Sequence, residues 1–243
     1  MVSLLANKRL RNVVILLSTL AVVILVGSLW TSMLPILGVI AIVICALAGS
    51  NFLYDHGVPS FISRRFAPVV GGFAYLVAII WLEKWTAIIL CGILTLFILL
   101  LRLRFRESLR GLSGAHPAQT WAEITFVVAG TLTMLIGWGI LGNKWLAFMP
   151  IAFLAWGDTA AGIARDIIGL DVKKSSWHMV AMFVICLAAV AIWYHPFWIG
   201  AIGAVVATLA ERYRPGVLRY WDDNFNLTAA SLAVMAVLEK IAL

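Results

Sequence analysis

The chain reads as a succession of long apolar runs separated by short segments that collect nearly all the charge. Runs at 13–29, 33–49, 68–82, 85–101, 121–141, 145–163, 179–194, 196–210 and 225–243 each predict a helix in lipid, where only a backbone that satisfies its own hydrogen bonds is stable. The expected fold is an all-α polytopic transmembrane bundle of about nine spans. The runs at 68–82, 179–194 and 196–210 are shorter than the ~20 residues a straight crossing takes. Trp30, Trp81, Trp85, Trp121, Trp145 and Trp198 stand at or near run ends, where amphipathic rings favour the lipid–water interface.

Composition agrees with the pattern. Hydrophobic residues make up 63% of the chain and charged residues 12%, with mean hydropathy +1.04, whereas a soluble domain carries about a quarter charged residues. A net charge of +7 would suit nucleic acid, but the apolar runs keep the basic residues apart and leave no polar surface for a basic groove. Nucleic acid is therefore excluded as a partner. With the N-terminus in the cytoplasm, only Lys84, Lys144 and Lys240 of the 18 basic residues fall outside, as the positive-inside rule requires. Of the 11 acids only Glu83 and Glu239 fall outside. The C-terminus is then expected outside, and the polar chemistry at the cytoplasmic face of one integral membrane domain, 1–243. The basic start and first apolar run lack an A-x-A-like cleavage site, so a retained span is expected there. Cys45, Cys91 and Cys186 have neither metal-ligand nor disulfide spacing and read as packing residues.

The stretch "AWGDTAAGIARDIIGLDVKKSS" carries the sharpest candidate chemistry. Asp158 comes about 20 Å into the run that starts at Trp145, counting ~1.5 Å per residue, and an acid at that depth is costly unless it meets a polar cavity, a partner or an ion. The competing possibility is a span that ends early, with Asp158 as a helix cap. Gly157, Thr159 and Gly162 would let a ligand or another backbone approach. Lys173, Lys174 and Ser175 suit phosphate oxygens, although lysines at a span end also serve as topology anchors. In "ERYRPGVLRYWDDNFNLTAA", Glu211 closes one run and Asp222, Asp223 and Asn224 precede the next; adjacent carboxylates there serve either a divalent cation or helix capping. Arg64 and Arg65 lie just before the run at 68–82, suited to phosphates or to anchoring. Glu123 is the other acid at membrane depth, and His116 and His178 are lone histidines. No Walker A, protein-kinase, G-x-S-x-G or H-E-x-x-H motif is present. Acids suited to a cation and bases suited to phosphates, gathered at one lipid-bounded face, point to nucleotide chemistry on a lipid head.

Taken in order, "GDTAAGIARDIIG", "KKS", "ATLAERY" and "DDNFNLT" resemble the superfamily of dolichol kinases, phytol kinases and phosphatidate cytidylyltransferases. "SRRFAPVVGG" is similar to the R-K-x-x-H stretch of the polyprenol and phytol kinases, with Pro68 in place of its histidine. Trp177 and His178 stand where that superfamily carries Glu-Gly. The resemblance spans 63–243 as the catalytic part and leaves 1–62 as variable N-terminal spans. "GDTAA" is nearer the kinases, so the resemblance implies a CTP-dependent kinase, with Mg²⁺, acting on a long-chain isoprenoid alcohol of dolichol, polyprenol or phytol type. It implies catalytic roles for Asp158 and Asp223 and Mg²⁺ on Asp158, Asp222 and Asp223. Nucleotide contacts would come from Arg64, Arg65, Gly157, Thr159, Gly162, Lys173, Lys174, Ser175, Glu211, Asn224, Asn226 and Thr228. Two other classes remain open: a cytidylyltransferase making CDP-lipid, and a transporter using Asp158 and Glu123 in an ion path. Confinement of the polar residues to one face disfavours the transporter.

Overall fold

The computed structural model describes residues 33–105, 109–113, 121–168, 176–212 and 223–242. All regular structure among them is helical. In chain order the helices are α1 (Met33–Asp55), α2 (Ser60–Trp81), α3 (Lys84–Arg104) and the short α4 (Arg110–Ser113). Next come α5 (Ala122–Thr133), which widens into a π-helix over Met134–Ile140, and α6 (Lys144–Ala152), which widens over Phe153–Asp158 and continues as α7 (Thr159–Ile168). α8 (Ser176–Trp193), α9 (Phe197–Arg212) and α10 (Asp223–Ala242) complete the set. Six helices among the described residues are long and apolar enough to cross a membrane, and Trp177–Trp193 is a shorter apolar one. The architecture is a helical bundle that spans a membrane. The expected run at 13–29 lies outside the described residues.

Two boundaries differ in a way that matters. The run at 68–82 was expected to start its helix near Pro68, but α2 starts at Ser60 and carries Pro68 inside it. Arg64 and Arg65 therefore do not precede the span; they occupy its opening turns. Proline is tolerated there at the loss of one helical bond, since Pro68 has no N–H for the Arg64 carbonyl. The second difference is that the chain remains helical without a break from Lys144 to Ile167. Asp158 is therefore inside a helix and caps nothing.

That long helix is the axis of the bundle. Leu146–Ala152 are all buried, as are Phe153, Leu154 and Ala155. Phe148, Trp156 and Trp193 form an aromatic cluster with ring centroids 5.4–5.8 Å apart, and the Trp156 indole donates to the Val69 carbonyl at 3.1 Å, fastening the axis to α2. α3 shows how lipid and core divide one helix. Ile89, Ile93, Leu96, Leu100 and Leu103 are exposed, and their spacing of four and three makes them one outward stripe. Ile88, Cys91, Ile98 and Arg102 are buried on the opposite face.

Opposite ends of the bundle have different chemistry. At one, Gly142 makes a turn at φ 79°, a left-handed conformation that glycine adopts without penalty. Asn143 then caps α6, accepting from the Trp145 and Leu146 amides at 2.9 and 3.1 Å. Its amide nitrogen donates to Glu239 at 2.6 Å, and the Tyr194 hydroxyl donates to the same carboxylate oxygen. This clasp joins three chain segments and accounts for Glu239. Toward the other end lie the start of α2, the end of α3, the starts of α5 and α10, and α7. That end holds the candidate chemistry.

Candidate functional site

A cavity of ≈ 340 Å³ opens between α1, α2, α3, α5 and the axial helix. Arg64, Arg65, Arg165, Asp158, Asp166 and Glu123 line it together with Thr159 and Asn224. Its remaining wall is mostly apolar: Val39, Val43, Leu47, Phe61, Leu94, Ile98, Phe126 and Leu154 among others. Helix direction orders these groups. Arg64 and Arg65 lie about 15 Å along α2 from Tyr75, another lining residue, at ~1.5 Å per residue. Glu123 and Asn224 likewise belong to the first turns of α5 and α10. The cavity thus runs from a charged rim into the apolar interior.

The position of Asp158 follows from local geometry. It is the last residue of the Phe153–Asp158 π segment, and such widened turns shift the register of side chains on a helix, often at functional sites. Gly157, just before it, is in close contact with α8; a Cβ there would come 2.5 Å from Cys186 Sγ. From Asp158 the helical period brings Gly162, Arg165 and Asp166 toward the same side of the axis, four, seven and eight residues on.

Arg65 reaches this face from α2. Its Nη2 is 3.4 Å from Asp166 Oδ2, both side chains partly exposed, so the pair is long and contributes little to stability. Its guanidinium rests on Gly162, where a Cβ would lie 1.8 Å from Cζ and 1.9 Å from each Nη. Gly162 is therefore the seat of a guanidinium. Gly162→Ala should push the flexible end of Arg65 aside while leaving the fold intact. If Arg65 holds phosphate, the apparent nucleotide affinity should fall about ten- to hundredfold, the worth of one charge-assisted hydrogen bond. Titration of nucleotide against the variant checks this, and an unchanged affinity would release Arg65 from that role.

Glu123, the other acid at membrane depth, is paired with an arginine of α3. Arg102 Nη1 is 2.7 Å from Glu123 Oε1, with side-chain exposures of 4% and 2%. The Arg102 guanidinium also lies 5.4 Å from the Trp121 ring centroid. Arg102, grouped in the sequence with the basic anchors of that face, is thus turned inward. Asn224 joins α10 to α5, its amide donating to Thr125 Oγ1 at 2.7 Å and to the Ala122 carbonyl at 3.2 Å.

Of the residues expected in the site, Arg64, Arg65, Asp158, Thr159 and Asn224 line one cavity, and Gly162 supports Arg65 from beneath. Glu211 is half-buried at the end of α9 and does not line it. Asn226 and Thr228 are buried within α10, where the Thr228 hydroxyl bonds back to the Asn224 carbonyl at 2.8 Å. Lys173, Lys174, Ser175, Asp222 and His116 lie outside the described residues; of Asp223 only its place at the start of α10 is described. His178 is buried. Among the described residues, no group of three or more His, Cys, Asp or Glu side chains could hold a metal ion. The sequence reading did not single out Arg165 and Asp166, which line the cavity, or Arg102, which pairs with the lining Glu123. The signal for Arg165 and Asp166 was their helical spacing from Asp158.

No family model matches the chain, and comparison with characterised proteins and with solved structures finds no match either.

Proposed function

We propose that this protein is a CTP-dependent kinase that phosphorylates an isoprenoid alcohol at the cytoplasmic face of a membrane, the activity implied by its resemblance to the dolichol and phytol kinases. The observation that carries this reading is the convergence of Asp158 with Arg64 and Arg65 on a cavity whose other walls are apolar. Arginines suit the oxygens of a triphosphate. An apolar cavity suits a chain that arrives from lipid, and an uncharged alcohol can come to a carboxylate below the interface at less cost than a charged lipid head.

In the proposed reaction the alcohol oxygen bonds to the γ-phosphorus, the bond from that phosphorus to the β–γ bridging oxygen breaks, and CDP leaves. Arg65, seated on Gly162, orients and partly neutralises the phosphates, with Arg64 and Arg165 on the same cavity. Asp158 either accepts the alcohol proton or serves as a cation ligand. Its hard carboxylate oxygen, beside cavity space for phosphate, fits Mg²⁺, which takes one or two carboxylates with phosphate oxygens and would supply charge neutralisation when bound. Asp222 and Asp223, at or next to the start of α10, are the other proposed ligands. Lys173, Lys174 and Ser175 are proposed as further phosphate contacts.

Purified protein given CTP labelled in the γ-phosphate and an isoprenoid alcohol tests the proposal. Label should enter the lipid as CDP accumulates. Release of pyrophosphate with entry of the α-label into a lipid phosphate would replace the kinase with a cytidylyltransferase.

A further inference from the structure

The deep end of the cavity is closed by side chains held in place by hydrogen bonds rather than by apolar packing alone. Tyr75 from α2 and Thr95 from α3 both line it. The Tyr75 and Thr95 hydroxyls each donate to the Val127 carbonyl at 3.3 Å, and Thr95 is 2.8 Å from the Thr131 hydroxyl. Gly130 makes room for the tyrosine, since a Cβ there would lie 2.4 Å from its hydroxyl oxygen. Tyr75 is thereby immobilised between α2, α3 and α5. Beyond it the bundle is filled: Ala78, Ile79, Ala87 and Met134 are 0–1% exposed.

We infer that Tyr75 sets the length of the lipid chain the cavity accepts, so that the site takes an alcohol of farnesol to phytol size and disfavours chains of dolichol length. This rests on the proposed lipid-alcohol reading and narrows its substrate. Three observations support it. The rim arginines and Tyr75 are only about 15 Å apart along α2. The volume of ≈ 340 Å³ is at the small end of the roughly 300–1,000 Å³ typical of sites for single small ligands. A floor tied by hydroxyls to a backbone carbonyl does not yield as a loosely packed leucine would. Hydrophobicity does not discriminate here, because the chain leaves one apolar medium for another. Discrimination is steric: a longer chain must distort packed helices, and overfilling a packed site carries a penalty that corresponds to about tenfold or more in affinity.

The test is thermal stabilisation of the detergent-solubilised full chain by farnesol, phytol and a long polyprenol, without nucleotide. Farnesol and phytol should bind about tenfold or more tightly than the polyprenol. Tyr75→Leu should abolish that preference, Tyr75→Phe, which keeps the ring but loses the hydroxyl tether, should weaken it, and Val39→Phe, which fills the same deep end from α1, should shift the limit to shorter chains. A length profile that neither Tyr75→Leu nor Val39→Phe moves, in variants that remain folded, overturns the inference, as does the absence of any preference in the parent protein. Farnesyl phosphate and a polyprenyl phosphate form the second arm. If only the phosphates bind and Tyr75→Leu still relaxes their length limit, Tyr75 keeps its role and the alcohol acceptor is what fails.

Discussion

Asp158→Asn should lower turnover about a hundredfold or more while the protein remains folded, inserted and able to bind nucleotide. The side chain is half-buried on the cavity wall, inside a helix that continues on both sides of it, so an amide of nearly the same size fits without repacking. What is lost is the negative charge. Losing a group that acts on charge developing in the transition state has an effect of that order. Nucleotide affinity measured without Mg²⁺ should hold or tighten, because Arg64, Arg65 and Arg165 then face one carboxylate fewer. With Mg²⁺ present, a fall in kcat without a rise in KM for CTP is the signature of a proton acceptor, and a fall in kcat with a raised KM is that of a cation ligand. Near-normal turnover in a folded Asp158→Asn protein would remove Asp158 from the chemistry.

The largest loss of stability should come from breaking the Arg102–Glu123 pair. With side chains 4% and 2% exposed, neither charge has water to fall back on, and removing one partner takes away the opposite charge that offsets the desolvation of the other. Glu123→Ala should destabilise the protein by about 3–5 kcal/mol. Replacing both residues with methionine should restore most of that, because an apolar pair of similar volume avoids the desolvation that makes buried ion pairs costly. Unfolding in detergent compared across the parent, both single variants and the double variant checks the cycle. A double variant as unstable as the worse single one would show that the residues act separately.

Much of the architecture was legible in the chain. The apolar runs predicted every long helix among the described residues, and most boundaries fell within a few residues. α2 was the main departure, since Pro68 reads as a start signal whereas a first-turn proline and one a little deeper leave much the same pattern. The site was legible in part. Asp158, Arg64, Arg65, Thr159 and Asn224 were named from charge and position and share one cavity. Glu211 was named on the same grounds and is not on that wall. The missed residues left a periodic trace: Ile88, Cys91, Thr95 and Ile98 lead at helical spacing to Arg102, and Asp158 leads in the same way to Arg165 and Asp166.

By itself, then, the sequence determined the helical class, the membrane-spanning runs and the segments that carry charge, because length and hydropathy act within each helix separately. It placed Asp158 at membrane depth but left open a span that ends there, which the unbroken helix from Lys144 to Ile167 excludes. Which charges meet was decided by the tertiary structure. In water an apolar stripe marks the face a helix buries, but in lipid both faces are apolar, and hydropathy no longer separates core from surroundings. α3, with its outward stripe of isoleucine and leucine and its buried Arg102, is the clearest case. Only when α5 presents Glu123 beside it does that arginine become a buried ion pair at the cavity wall. Only when α2 crosses Gly162 does Arg65 enter the cavity that Asp158 lines.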